Sequence, residues 1–313
     1  MSSYIGSAIS TIRFVKDYAF NLGAYLLASR GHKSMPTLTP IDSISALSPL
    51  VIRILGQNPG PFTLQGTNTY LIGNGKKRIL VDTGEPNISK YISELKSALG
   101  ENEIDSIIVT HWHNDHVGGL PSVIENVVGK KVVPVYKFRK IGGEEDPEHF
   151  TYVEDGQEVK VDGATVRFVH TPGHTIDHAA LYLLEENALF SADCILGEGT
   201  TVFEDLHDYM CSLDKIKSFK ASRIYPGHGP VIEKTEEKVD EYIGHRVKRE
   251  NEILNVLTEQ KQMTSMDITN TVYQASPWSV RLAALNNVKL VLNKLIKDEK
   301  VQKTGFEMYR IVE

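Results

Sequence analysis

The sequence predicts an α/β layered sandwich followed by a C-terminal winged helix, and three features predict it. From Val51 onward, short β-rich runs bounded by turn residues alternate with helical stretches, a pattern in which helices cover layers of strands. Near residue 235 the texture changes to long helices. After those helices the chain ends on two alternating runs, Lys300–Lys303 and Phe306–Ile311, around a Thr304-Gly305 turn, the layout of a wing.

Taken in order, residues 1–48 read as an N-terminal extension. The first 35 residues are rich in serine and aliphatics and carry Arg13, Lys16, Arg30 and Lys33 against Asp17 alone, a composition that fits an organelle transit segment. A plain N-terminal helix or an interfacial anchor is the alternative. Residues 34–49, punctuated by Pro36, Pro40 and Pro49, read as a linker. Residues 49–243 form one strand-rich domain. Strands are expected at Val51–Leu55, Thr69–Ile72, Arg78–Val81, Ser106–Val109, Lys131–Val135, Thr165–His170, Ala179–Leu184 and Ala188–Ser191, with Gly73-Asn74-Gly75 as a hairpin turn. Apolar residues at helical spacing mark Ile88–Leu99 and Leu206–Phe219. Residues 244–313 form the winged-helix domain, with helices near Glu241–Thr258, Ser265–Tyr273 and Val280–Lys297.

Composition narrows the class. Of 313 residues, 41% are hydrophobic and 24% charged, which excludes a disordered chain. The net charge of −6 divides unevenly: +2 over residues 1–48, −11 over 49–244 and +3 over 245–313. An acidic middle between basic ends indicates a modular chain. Two cysteines, Cys194 and Cys211, provide no disulfide framework, so a reducing compartment is the simpler reading. No apolar run approaches the roughly 18 residues of a membrane helix, so stable membrane insertion is not expected.

The chemistry is concentrated after the strand Ser106–Val109, in Thr110-His111-Trp112-His113-Asn114-Asp115-His116-Val117-Gly118-Gly119. Imidazoles and a carboxylate leaving a buried strand end would forfeit solvation unless paired, and they are good zinc ligands. In an extended loop His111 and His113 project to one side, while Asp115 and His116 turn toward a second ion. Further donors follow other β-rich runs: His174 in Thr171-Pro172-Gly173-His174, Asp193 in Ser191-Ala192-Asp193-Cys194, and His228 in Tyr225-Pro226-Gly227-His228-Gly229-Pro230. His178 reads as a support for the strand or the ligands. Cys194 reads as a small buried residue. His32, His149, His170, His207 and His245 read as surface or packing residues. Leu196–Thr201 could line the substrate mouth or simply lead into the next helix.

The His-x-His-x-Asp-His run with downstream His, Asp and His resembles the metallo-β-lactamase superfamily over about residues 50–235. The resemblance implies an αββα sandwich with two metal sites. His111, His113 and His174 would bind one ion, and Asp115, His116 and His228 the other, with Asp193 bridging. Asp82, in Leu80-Val81-Asp82-Thr83-Gly84, would orient ligands from behind, although a turn-capping role would also suit it. His113 stands where the oxygen-reducing di-iron branch has Glu, so the resemblance implies two Zn2+, with Mn2+ as a substitute, and hydrolysis. Asp115 would orient the nucleophile or move its proton.

Residues 50–313 are further similar to a mitochondrial, single-strand-directed endoribonuclease branch of that superfamily. The carrying stretches are Asn58-Pro59-Gly60-Pro61, Leu64–Tyr70, His111–Gly119 and Cys194–Asp205. Ala192, where that branch has Gly, is a departure. This resemblance implies single-stranded RNA as substrate and partner, and a mitochondrial matrix location, with the cytoplasm as alternative. On the third C-terminal helix Leu282, Leu285, Val288, Leu292 and Leu295 form the expected buried stripe. Asn286, Lys289, Asn293 and Lys297 face outward, running toward Lys300 and Lys303. Those lysines could track phosphates or simply be a solvated face. Two other readings are a thioester hydrolase like glyoxalase II, and a nucleic-acid-binding protein with a structural metal.

Overall fold

The computed structural model describes residues 38–140 and 150–312. The expected transit segment, the linker before residue 38, His32, His149 and the side chain of Leu282 lie outside the described residues. Two compact units result, one spanning Leu38–Tyr242 and the other taking in the chain from Ile243.

The first unit contains a seven-stranded sheet whose spatial order is its chain order: β1 (Ile44–Ala46), β2 (Val51–Leu55), β3 (Asn68–Ile72), β4 (Lys77–Val81), β5 (Glu103–Ile108), β6 (Val135–Lys137) and β7 (Phe150–Tyr152). Pairing is antiparallel up to β4 and parallel from β4 to β7. A second sheet runs in the order β12-β11-β10-β9-β8, from β8 (Glu158–Val161), β9 (Ala164–His170), β10 (Ala179–Leu183), β11 (Ala188–Ala192) and β12 (Arg223–Pro226). The helices of this unit are α1 (Ser89–Leu99), α2 (Asn114–Val117), α3 (Leu120–Val123), which continues as a π-turn through Val128, and α4 (Leu206–Ser218).

Period-two alternation sorts the first sheet's side chains into two cores. Val51, Tyr70, Ile72, Ile79, Val81 and Ile108 pack with Phe168, Leu181, Phe190 and Tyr225 of the second sheet. Ile54, Leu71, Leu80 and Ile107 point the other way, onto Tyr91, Leu95 and Leu99 of α1. Each such side chain removed from water contributes about 1.5–3 kcal/mol before entropy is counted. On the second sheet's side, α4 buries Leu206, Tyr209, Leu213 and Ile216, and its Tyr209 hydroxyl donates to the Cys194 carbonyl at 2.7 Å. Asp205 caps this helix by accepting from the Asp208 amide at 3.1 Å. The layering is therefore helix, sheet, sheet, helix.

Several boundaries differ from the sequence reading. Residues 44–46, expected in the linker, pair with β2, so the unit starts at Leu38 rather than residue 49. This short edge strand is held by its partner's ladder, a tertiary effect that its Ser-rich sequence does not signal. The strand expected at Lys131–Val135 lies at Val135–Lys137 instead; Val132 is 99% exposed, so that run is not core. β7, β8 and β12 were not expected.

The second unit takes in the C-terminal part of α5 (Thr235–Gln260), then β13 (Met263–Thr264), α6 (Ser265–Val272), α7 (Trp278–Lys297), β14 (Val301–Gly305) and β15 (Met308–Ile311), in the sheet order β13-β15-β14. It is the expected winged helix, with the extra strand β13 closing one edge of the wing sheet. Ile253, Leu257, Ile268, Val288, Val291, Leu292, Leu295, Val301 and Tyr309 are buried in it. Thr264 caps α6 by accepting from the Asp267 amide at 3.1 Å. No helix among the described residues is long and apolar enough to cross a membrane.

Candidate metal centre

The ligand-type residues of the sequence converge at the ends of strands from both sheets. The segment after β5 bends at His111 and Trp112, carries His113 in extended backbone, and then enters α2, whose short length presents Asp115 and His116. His174 lies between β9 and β10, Asp193 directly follows β11, and His228 follows β12. Their donor atoms form two groups: His111, His113, His174 and Asp193 in one, Asp115, His116 and His228 in the other, all atoms within 4.8 Å of one another inside each group.

Asp193 faces both. Its Oδ1 is 3.3 Å from His116 Nε2 and 3.3 Å from His228 Nε2. Its Oδ2 is 3.6 Å from His174 Nε2 and 4.0 Å from His111 Nε2. Asp115 Oδ2 lies 3.2 Å from His116 Nε2 and 3.3 Å from His228 Nε2. In the first group His113 Nδ1 is 3.0 Å from His111 Nε2 and 3.1 Å from His174 Nε2.

Backing contacts fix each imidazole. Asp82 accepts from the Thr110 amide at 2.8 Å, from the Thr110 hydroxyl at 2.9 Å and from His116 Nδ1 at 2.8 Å, so the His116 Nε2 lone pair can face the cluster. The Thr110 hydroxyl is donating to Asp82 and therefore accepts from His111 Nδ1 at 3.0 Å, which likewise frees His111 Nε2. His174 Nδ1 donates to the Val202 carbonyl at 2.7 Å. The Asp193 amide donates to His178 Nε2 at 3.2 Å, so His178 carries its proton on Nδ1 and donates to Thr171 Oγ1 at 2.8 Å. His178 is thus a support for Asp193.

The stretch Leu64–Thr69 also serves the site, which sequence reasoning did not assign. The Thr67 hydroxyl donates to Asp115 Oδ2 at 2.9 Å and accepts from Asn58 Nδ2 at 3.0 Å. Asn68 Nδ2 donates to the carbonyls of Pro226 and Gly229, both at 2.9 Å, and holds the turn that carries His228. Asn58 and Thr67–Thr69 are polar yet buried beside an apolar strand; that oddity was the available signal. At Gly227 a Cβ would lie 2.3 Å from Asp193 Oδ1, so only glycine lets this turn approach the carboxylate.

Electrostatics divide the cluster. Burial, together with neighbouring His116 and His113, holds the His111 pKa well below its usual value. Burial and then His174 bring His113 down to about 3. His174 is lowered as well, chiefly by burial. These are neutral donors. Burial also opposes charge on His228, but Asp193 and Asp115 outweigh it and raise it to about 10. His116 is raised well above its usual value against the same burial, by Asp115, Asp193 and Asp82. For Asp115 and Asp193, burial opposes ionisation, yet His116 and His228 hold both carboxyls well below the usual range. Two buried carboxylates thus draw protons onto two imidazoles, a pull that divalent cations would satisfy.

The donor set fits such ions. His116 Nε2 and Asp193 Oδ1 are buried atoms that face each other without a hydrogen bond, an unmet need that a cation between them would supply. The His/Asp cluster suits a dinuclear divalent-metal site.

Elsewhere the expected stripe in the winged helix is partly neutralised. Lys289 is half-buried and its Nζ lies 3.3 Å from Glu307 Oε1, Lys300 is 3.7 Å from Asp298 Oδ2, and Lys303 sits over the Tyr309 ring at 5.9 Å. Lys297 is exposed at the end of α7. Cys194 is buried and its thiol is pushed up by burial, so it is no nucleophile.

Known proteins resemble this chain in both of its units. Residues 62–228 match the family described as the metallo-beta-lactamase superfamily, and residues 264–307 match the beta-lactamase associated winged helix domain. A Beta-lactamase-like protein 2 homolog of Caenorhabditis elegans is 62% identical over 88% of this chain and 94% of its own length. An atrochrysone carboxyl ACP thioesterase of Aspergillus chevalieri is 37% identical over 84% of this chain and 86% of its own. The crystal structure of a beta-lactamase domain protein from Burkholderia ambifaria superposes with a TM-score of 0.74 at 19% identity, covering 88% of this chain and 95% of that one.

Proposed function

The chain belongs to the metallo-beta-lactamase superfamily of metal-dependent hydrolases, and on that premise we propose that it is a zinc-dependent endoribonuclease acting on single-stranded RNA. The observation that carries the hydrolytic part is the placement of Asp193 between two groups of donors. The choice of RNA is supported by the likeness of residues 50–313 to the endoribonuclease branch.

In this reading His111, His113 and His174 hold one Zn2+, and Asp115, His116 and His228 the other, with Asp193 shared. Two such cations supply Lewis acidity, which makes water nucleophilic near neutral pH and polarises the phosphoryl group. The remaining work belongs to the chain. Asp115 is held by the Thr67 hydroxyl and can orient the attacking water and take its proton at Oδ2. Asp82 and His178 keep His116 and Asp193 in place. Protein stripped with chelator should lose RNA cleavage and regain it with Zn2+ or Mn2+. Asp115→Ala and Asp193→Ala should each lower turnover by at least about a hundredfold while circular dichroism stays native. Cleavage that persists in both variants overturns the assignment.

A thioester hydrolase is the second reading, favoured by the identity to the Aspergillus thioesterase. Acyl-thioester turnover exceeding RNA cleavage in the same preparation would select it.

Two further parts belong to the proposal. Residues 1 to about 45 direct the chain to mitochondria, which a cytosolic fluorescent fusion of that segment would refute. The winged helix binds RNA through Lys289, Lys297, Lys300 and Lys303. Replacing all four with Ala should flatten the salt dependence of RNA affinity, by about 0.7 in slope for each phosphate no longer neutralised. An unchanged slope makes this unit a folding or association element.

A further inference from the structure

We propose that Lys140, with Arg139 beside it, forms a phosphate-binding rim next to the metal centre, which seats the RNA backbone against the catalytic unit. The inference rests on the endoribonuclease reading and adds to it a binding surface that adjoins the site itself.

The placement follows from register. β5 and β6 are parallel, with Ile107 opposite Val135 and Ile108 opposite Tyr136, and the pairing continues through the Val109 amide to the Tyr136 carbonyl at 2.9 Å. Carried forward at the same offset, that pairing sets Lys140 beside Trp112, within the metal-binding run. The structure has them in contact: the Lys140 ammonium lies 3.7 Å from the Trp112 ring centroid. Trp112 in turn meets His113 edge to face, with centroids 4.7 Å apart. Lys140 also lies near Glu204, whose carboxyl is held above its usual range by desolvation against the opposing pull of the Lys140 cation, and the Glu204 amide is hydrogen-bonded to the Gly173 carbonyl at 2.7 Å, one residue before His174. The cation is therefore bracketed by segments carrying two of the candidate ligands. Beside it, exposed Arg139 lies with its guanidinium 3.9 Å from the Tyr152 ring centroid.

The chemistry of this pair is that of a nucleic-acid rim. Among the described residues neither Lys140 nor Arg139 makes an ion pair with a carboxylate, although residues 49–244 carry a net charge of −11. Both rest on aromatic faces, which hold a cation in place without neutralising it, and the carboxylate that acts on Lys140 from nearby is that of Glu204. A polyanion approaching an acidic unit needs local positive charge to reach the metals.

Trp112 is a reporter as well as a participant, since the chain has only one other tryptophan, Trp278. In a Trp278→Phe background, titrating metal-free protein with oligouridylate should quench the fluorescence of Trp112. Lys140→Ala should weaken that binding about tenfold, Arg139→Ala should weaken it less, and Lys140→Arg should restore most of it. With zinc present, Lys140→Ala should lose more kcat/KM on RNA than on methyl p-nitrophenyl phosphate, which has no flanking phosphates. RNA that quenches Trp112 and depends on Lys140, but is not cut, sustains the rim and refutes the nuclease reading. RNA cut with no change in Trp112 and no dependence on Lys140 overturns the rim and leaves the nuclease reading standing. Quenching by phosphopantetheine but not by RNA also overturns it, in favour of a thioester substrate.

Discussion

Ala192 shows how one residue can bear the strain of a site. It precedes Asp193 with φ at +41°, in the left-handed region that favours glycine. Alanine there costs about 1–2 kcal/mol. Glycine would give back about 0.4–1 kcal/mol through the unfolded chain. Ala192→Gly should therefore stabilise the catalytic unit by about 0.5–1 kcal/mol, read as a rise in Tm. A fall in Tm would mean that the Cβ packs to more effect than the backbone strains. Asp82 is a second such position, at φ +59°, with its carboxylate committed to Thr110 and His116.

At the scale of elements, what the sequence made legible depended on whether the signal was local. The run His111–His116 could be read because its donors are close in sequence and polar where a strand end should be apolar. The convergence of His174, Asp193 and His228 on it could be anticipated only through family resemblance, since nothing local sets three turns from the second sheet beside one from the first. Lys137 and Asp177 were missed for the same reason. Both are buried, with Nζ 3.4 Å from Oδ2, and neither is near the other in sequence. β1 and β13 went unread because their stability lies in their partners. In the winged helix Lys294 on α7 was passed over as one more helical lysine, yet it is buried and donates to Glu250 at 2.9 Å and to Asp298 at 2.6 Å. Burial opposes its charge, but Asp298 and Glu250 outweigh that and raise its pKa. A raised lysine pKa contributes stability that is complete below the unfolded value and is lost as pH climbs through the folded one. The winged helix should thus weaken only at strongly alkaline pH, and Lys294→Met should remove that dependence. Lys294→Met also leaves Glu250 buried and unpaired, at a cost of about 3–5 kcal/mol. Calorimetry of the variant against pH checks both.

For the molecule as a whole, the order of the seven-stranded sheet has a consequence for how the protein comes into being. Each strand from β1 to β7 finds its neighbour in the strand just before it, so this half can assemble as the chain emerges, from pairings of short sequence separation. The candidate ligands obey a different clock. His111, His113, Asp115 and His116 are made early, but Asp193 waits for β11 and His228 for β12, and β12 inserts next to β11 only after α4 has been laid down between them. The centre is then the last part of its unit to close, and a nascent or stalled chain carries half a chelate. Interactions formed after the folding barrier slow unfolding without hastening folding. Stopped-flow measurements should accordingly find that Zn2+ lowers the unfolding rate of the catalytic unit and leaves its refolding rate nearly unchanged. Faster refolding with zinc would mean that the metal nucleates the fold. If unfolding alone responds, the chelate closes after the folding barrier has been crossed, and hydrolytic competence is the last property the unit acquires.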